Sequence, residues 1–162
     1  VSHADGLGSR GRTEAGQVQV MSAGAGIRHA EFNQEGEDLD LFQVWVEPDE
    51  IGHQPRWDTR TFDREHISNG FVTLVSGRHG REHPDALFIH QDASFLAAVM
   101  GEGETMEQSI EPGRRAYLVP ARGEVEVNGV RVPERGSAAI TFETALSIKA
   151  LRAAEVVMFD LP

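Results

Sequence analysis

Cysteine is absent from the 162-residue sequence. Its absence excludes disulfide bonds, thiolate metal ligands and cysteine nucleophiles, and it fits a reducing compartment. No apolar run approaches the roughly 20 residues that a membrane-spanning helix needs. The first residues also lack the basic segment followed by an apolar one that marks a signal peptide. We therefore expect a cytoplasmic protein that contacts no membrane.

Basic side chains are few, because 15 Lys and Arg stand against 26 Asp and Glu, which gives a formal net charge of −11. Such a surface repels nucleic-acid phosphates and anionic lipids, so no direct contact with nucleic acid is expected. The same acidity would suit a basic protein partner. About 40% of the residues are hydrophobic, which is enough for a substantial core in one or two small domains.

Helical periodicity is missing as well, whereas short apolar segments separated by Gly, Pro and acidic turns recur along the chain. Val125 and Val127 alternate with polar residues up to Asn128-Gly129, the strongest two-residue signal of a type I′ hairpin. The pattern predicts an all-β fold whose second half is a closed double-sheet barrel of the jelly-roll type. The other expected strands of that half are residues 71–75, 87–89, 94–100, 106–110, 115–120, 138–141, 145–150 and 156–161.

Another dense apolar segment, residues 39–46, reads Leu-Asp-Leu-Phe-Gln-Val-Trp-Val. Its apolar side chains occupy both parities, which predicts a strand that is buried on both faces. Glu47-Pro48 would end this strand. The stretch from there to Phe62 contains Gly and Pro, and it predicts a connection between two halves of the chain.

The most informative stretch runs from residue 16 to residue 33. Valines at period two predict a strand, and Gly24 and Gly26 then release the backbone for a bend. After the bend, His29 and Glu31 share one parity, so a continued strand would place the imidazole and the carboxylate on the same face. Such a pair is half of a first-row metal site, and an ordinary surface pair is the alternative.

The other histidines are weaker candidates. His3 is predicted to be solvated at a turn, His53 to be exposed in a loop, and His90 to be a satisfied or exposed single histidine. His79 and His83 would align on a helix because they are four residues apart. Two glycines and a proline in the same stretch argue against that helix, and therefore against a metal clip.

A family resemblance rests on the same stretch. Gly26, His29 and Asn33 form Gly-x-x-His-x-x-x-Asn, the second half of the cupin metal motif, although Gly24 stands where cupins in general carry proline. With Met-Ser-Ala-Gly-Ala-Gly-Ile-Arg-His-Ala-Glu at its centre, the stretch resembles the pirin family. The turn His3-x-Asp5-x-Leu7-Gly8 is also similar to that family. The resemblance covers essentially the whole chain and is nearest to the bacterial pirin-like quercetin 2,3-dioxygenases.

The resemblance implies a bicupin with two halves. Residues 1–62 would be the C-terminal part of the first, metal-binding cupin plus a linker, and residues 63–162 a second cupin without a metal motif. His29 and Glu31 would ligate the metal. The family takes two further ligands from a His-Pro-His element that precedes the turn at His3. No His-x-His occurs in these 162 residues, so we expect the first cupin to be truncated at its N-terminus and to bind metal weakly or not at all.

The resemblance also implies a chemistry. The cofactor would be a divalent transition metal, Fe(II) foremost and Mn, Ni, Cu or Zn as alternatives. The activity would be the opening of a flavonol (quercetin-like) ring with O2, with Glu31 also acting as a catalytic residue that takes the substrate's hydroxyl proton. One alternative is a non-catalytic, metal-binding pirin that regulates a protein partner. Another is an inactive fragment of a dioxygenase.

Overall fold

The computed structural model of the protein describes residues 1–6, 10–63, 65–78 and 83–162, without the side chains of Asp5 and His66. Helical structure in these residues is limited to a 3-10 turn at His66–Ser68, and no helix in them is long and apolar enough to cross a bilayer. The predicted all-β class is confirmed. The strands are β1 (Ser2–Asp5), β2 (Arg10–Arg12), β3 (Gln17–Ser22), β4 (His29–Phe32), β5 (Arg56–Thr61), β6 (Val72–Ser76), β7 (Leu87–Phe88), β8 (Ser94–Met100), β9 (Thr105–Ser109), β10 (Arg115–Val127), β11 (Val130–Val132), β12 (Ala138–Ile140) and β13 (Ala145–Leu161).

The strands form three sheets. The largest has the order β11-β10-β13-β8-β6-β7, with β12 paired to β10 and β9 paired to β13. A smaller sheet has the order β2-β1-β4, and β3 pairs with β5 in a two-stranded ribbon. All but one of these pairings are antiparallel, the exception being β6 with β7. The metal-motif strand β4 therefore lies in a different sheet from the second half of the chain.

Two strands are much longer than the pattern predicts. Residues 115–120 and 123–127 belong to the single strand β10, and residues 145–150 and 156–161 belong to β13. Their pairing shifts register around residues 120–125. Gly123 has a positive φ of +75°, and an added Cβ there would lie 2.1 Å from the carbonyl oxygen of Ala153. Such bulges let one strand continue through a bend that the sequence pattern indicates as a break.

The predicted type I′ hairpin is confirmed between β10 and β11. Asn128 and Gly129 both have positive φ, +47° and +82°. The Asn128 side chain also accepts a hydrogen bond from the Ser147 backbone N–H at 2.8 Å, so this turn is tied to the neighbouring strand. The pattern of residues identified both the position and the type of this turn because its conformation selects Asn-Gly.

Two apolar clusters form the core. The larger consists of buried side chains from residues 96 to 158, including Leu118, Leu146, Ile148 and Met158. The smaller is centred on Leu74, Val75, Leu87 and Ala97, and partly buried side chains of β3 and residue 62 pack against it. Because β3 thus contributes to packing around β6 and β8, the predicted division at residues 62/63 does not coincide with a gap in packing. That division remains a prediction.

The prediction for residues 39–46 is wrong. Residues 37–48 form no strand, and their apolar side chains are exposed, with Trp45 at 86%. The sequence pattern reports how apolar a segment is, but burial requires a partner to pair with and pack against. None of the sheets formed by the described residues includes this segment.

The exposure of residues 39–46 can be tested by comparing a substitution in this segment with a substitution in the core. Leu146 is fully buried, whereas Leu41 is 51% exposed. Leu146→Ala should lower the free energy of unfolding by about 2–5 kcal/mol, because it removes buried methyl groups and leaves a cavity. Leu41→Ala should change it by less than about 0.5 kcal/mol. Urea denaturation measures both, and an equal loss in the two variants would mean that residues 39–46 are buried in solution.

A second stability test concerns Glu124, which is buried beside two arginines. Arg131 donates hydrogen bonds to its carboxylate through Nε and, at 2.9 Å, through Nη2, and Arg152 Nε lies 3.7 Å away. The hydrogen bonds from Arg131 hold the pKa of Glu124 below its usual 4.5. Because the folded-state pKa is lowered, this stabilisation is present above pH 4.5 and is lost as the pH falls through the folded-state value.

We therefore expect Glu124→Gln to make the free energy of unfolding less dependent on pH in acid. Between about pH 5.5 and about pH 3, the free energy of unfolding should fall less in this variant than in the wild type. Urea denaturation at both pH values provides the measurement. Glu102→Gln, at an exposed turn, is the matched control and should keep the wild-type slope. An unchanged slope in Glu124→Gln would contradict the role of the Arg131 pair.

Candidate metal centre

His29 and Glu31 lie on the observed strand β4. This strand pairs with β1 in antiparallel register, with Asp5 opposite His29 and His3 opposite Glu31. Positions two apart on a strand project to the same face, so the imidazole and the carboxylate share a face as the spacing predicts. Both residues are exposed. The bend before them has positive φ at Gly24 and Gly26, +54° and +121°, which an L side chain rarely adopts.

The carboxylate and the imidazole on this face each have a neighbouring side chain. Glu31 Oε2 accepts a hydrogen bond from Gln43 Nε2 at 3.2 Å. The His29 ring lies 5.8 Å from the ring of His3, measured between centroids, with the planes tilted by 47°. A carboxylate and an imidazole that are exposed on one face can both turn toward a common ion. The role of His29 and Glu31 as ligands remains a prediction.

His3 differs from its prediction, because it is 2% exposed rather than solvated at a turn. Neither of its ring nitrogens has a hydrogen-bond partner among the described residues. It lies on the central strand of the small sheet, between β2 and β4, and its ring is 6.3 Å from that of Trp57. A buried imidazole without a partner is uncommon and indicates a polar group, such as an ion or a water, close to this face. Leu7 and Gly8 of the predicted turn lie outside the described residues.

The residues of this face fit part of a metal site. One imidazole and one carboxylate are ligands that divalent first-row metals accept, and the unpartnered His3 beside them agrees with a polar occupant. They do not form a closed site. Within residues 1–6, 10–63, 65–78 and 83–162, His3, His29 and Glu31 do not bring their ligand atoms within 4.8 Å of one another, whereas a different group of three does.

That different group consists of Asp49, His53 and His90. His53 Nε2 lies 2.8 Å from Asp49 Oδ1, and the rings of His53 and His90 stack at 3.7 Å with 12° between their planes. The hydrogen bond with His53 lowers the pKa of Asp49 below its usual 3.8. Sequence reasoning missed this group, because it treated His53 and His90 singly. Nothing in the local pattern links two histidines in loops 37 positions apart.

A small cavity lies in the second half of the chain. It has a volume of about 20 Å³ and is lined by residues that include Arg78, Leu96 and Met158. That volume accommodates about one water molecule. Asp160 accepts hydrogen bonds there from Arg78 Nη1 and Arg114 Nε, both at 2.6 Å. His83 also lines the cavity, whereas His79 lies outside the described residues. A flavonol would not fit this space.

Comparison with known proteins identifies two family segments. Residues 1–46 match the family model described as Pirin, and residues 73–161 match the one described as Quercetinase C-terminal cupin domain. A pirin-like protein of Caulobacter vibrioides is 48% identical over 160 residues, which are 99% of this chain and 68% of that protein. The quercetin 2,3-dioxygenase of Escherichia coli K12 is 36% identical over 167 residues, which are 100% of this chain and 68% of that enzyme.

Solved structures agree with the sequence comparison. The bacterial pirin YhhW from Escherichia coli, in complex with nickel(II), superposes with a TM-score of 0.87 at 35% identity, covering 99% of this chain and 67% of that chain. The predicted cupin fold is thereby confirmed. A relative that is 48% identical, and of which this chain covers 68%, is a homologue of this chain. This chain is therefore a member of the pirin family.

Proposed function

We propose that this chain contributes His29 and Glu31 as two metal ligands of a pirin-type dioxygenase, which opens a flavonol ring with O2. The observation that carries the proposal is the common exposed face of His29 and Glu31 on β4, inside the segment that matches the pirin model. The Escherichia coli relative named quercetin 2,3-dioxygenase supports a quercetin-like flavonol as the substrate.

The donor set and the relatives support a divalent transition metal as the cofactor. Imidazole and carboxylate suit iron, manganese, nickel, copper and zinc alike, and the YhhW structure was solved in complex with nickel(II). For a reaction with O2 we propose Fe(II). When bound, such an ion supplies Lewis acidity toward the hydroxyl and carbonyl oxygens of the flavonol and a redox-active centre for O2.

The two side chains have different roles in this proposal. His29 would provide an imidazole nitrogen as a ligand on the face of β4. Glu31 would provide a carboxylate oxygen, and its carboxylate could also take the proton of the flavonol's hydroxyl group. Gln43 Nε2 donates a hydrogen bond to Glu31 Oε2 at 3.2 Å and so helps to orient that carboxylate. The unpartnered ring of His3 offers a further polar contact beside the same face.

We expect His29→Ala to weaken Fe(II) binding at least tenfold, because it removes one of two donors from this chain. Glu31→Gln should reduce flavonol turnover by about 10²-fold or more, since an amide cannot take the proton. The measurements are anaerobic metal titration, followed by quercetin consumption and O2 uptake by the metal-loaded protein. Both variants should retain the wild-type far-ultraviolet circular dichroism, because the two residues are exposed.

His83→Ala and Glu37→Gln are the matched controls. They change the same residue types at positions outside the β4 face and should leave metal affinity and turnover at wild-type values. An unchanged number of bound Fe(II) ions together with wild-type turnover in His29→Ala would contradict the proposed site. Full metal binding without any flavonol-dependent O2 uptake would contradict the proposed reaction while leaving the ligands in place.

The exposed apolar segment favours a second candidate function, namely that of a metal-binding regulator of a protein partner. The side chains of Leu41, Phe42 and Trp45 are all exposed to solvent, Trp45 at 86%. Exposed stretches of this kind often mark protein interaction sites. The net charge of −11 would favour a basic partner. Flavonol-dependent O2 uptake distinguishes the two functions, because a regulator needs none.

A further inference from the structure

The group formed by Asp49, His53 and His90 shares no residue with β4 and has the composition of a metal site. Each residue offers one ligand atom, and these atoms all lie within 4.8 Å of one another. Two imidazoles with one carboxylate form a common ligand set for zinc and other first-row metals. His53 and His90 are half-buried, and Asp49 is exposed, so an ion could reach the group from solvent.

Two hydrogen bonds, one between backbone groups and one from a side chain to the backbone, hold the two loops of this group together. The Asp49 N–H donates to the carbonyl oxygen of His90 at 2.8 Å, and Gln91 Nε2 donates to the carbonyl oxygen of Glu47 at 2.7 Å. The rings of Phe88 and His90 pack in a T-shaped arrangement, with 4.8 Å between centroids and 85° between planes. The positions of the three donors therefore depend on tertiary contacts, rather than on chance proximity of surface side chains.

Two glycines fix the backbone at both histidines. A Cβ at Gly24 would lie 2.0 Å from the carbonyl oxygen of His53, so only glycine allows this loop to approach so closely. A Cβ at Gly77 would lie 2.0 Å from the carbonyl oxygen of Ile89 and 2.3 Å from that of Gln91, on either side of His90. Packing this tight restrains both loops before any ion binds, which lowers the entropic cost of binding.

We propose that Asp49, His53 and His90 bind a divalent transition-metal ion, with Zn²⁺ as the preferred occupant, at a site separate from His29 and Glu31. The two rings are now nearly parallel, so one of them must turn for its nitrogen to converge on the ion. The ion replaces the hydrogen bond between His53 and Asp49, and His53 binds as a neutral imidazole. Three protein ligands leave one tetrahedral position for water.

Such a site joins two parts of the chain. Asp49 and His53 lie between the segments that match the two family models, and His90 lies within the second. A bound ion would tie the connection after residue 46 to the loop between β7 and β8. The expected consequence is a gain in stability on metal binding, since the ion binds the folded chain and the unfolded chain offers no assembled site.

The test uses the full chain with the β4 face removed by the double substitution His29→Ala and Glu31→Ala. We expect this background to bind one Zn²⁺ ion in isothermal titration calorimetry, and Zn²⁺ to raise its Tm. Co²⁺, used in place of the spectroscopically silent Zn²⁺, should give visible absorption bands when it binds at this site. Added to this background, His53→Ala or His90→Ala should weaken Zn²⁺ binding at least tenfold and abolish both the Tm shift and the Co²⁺ bands.

Controls separate loss of the site from loss of folding. His83→Ala in the same background should keep the Zn²⁺ affinity and the Tm shift. His53→Gln and Asp49→Asn preserve side-chain size and should also lose the shift while retaining the circular dichroism of the background. The proposal is overturned if the background shows no Zn²⁺-dependent Tm shift. It is also overturned if Zn²⁺ binding survives both His53→Ala and His90→Ala. Neither outcome bears on flavonol turnover.

Discussion

The antiparallel pairing of β10 with β13 is the interaction on which the largest sheet depends. It runs from Arg115 opposite Leu161 to Val127 opposite Ile148. β10 also pairs with β11 and β12, and β13 with β8 and β9, so the remaining strands are placed by the register of this pair. Buried and exposed residues alternate along much of both strands. A slip of one residue would therefore move the apolar side chains of β13 from the core to solvent.

The sequence predicted those elements whose local pattern is sufficient to determine them. Residues 94–100 were identified as a strand with its observed limits, because the segment is apolar and bounded by turn residues. The hairpin at Asn128-Gly129 was identified because few dipeptides adopt its conformation. The relation of His29 to Glu31 followed from strand periodicity alone. In each case the determining interactions lie within a few residues of one another.

Elements that depend on distant partners could not be predicted in this way. The segment at residues 39–46 is as apolar as a core strand, yet no described strand pairs with it. His3 looked like a turn residue, whereas it lies on a central strand and is buried beside the ring of Trp57, a residue more than 50 positions away. Asp49, His53 and His90 come together only because a backbone hydrogen bond and two closely packed glycines join loops that are distant in sequence. Long-range packing of this kind leaves no local signature.

The distribution of buried side chains has a further consequence for ligand binding. Among the described residues, every buried hydrophobic side chain lies between Leu74 and Met158, and none belongs to β1, β2 or β4. Amide hydrogens of the small sheet should therefore exchange with solvent faster than those of β10 and β13, because less free energy opposes local opening. An ion held by β4 must then supply the free energy of ordering that sheet. The measured affinity of the chain for that ion would then depend on two quantities. One is the equilibrium between the open and the closed strand, and the other is the strength of the bonds from the ion to His29 and Glu31.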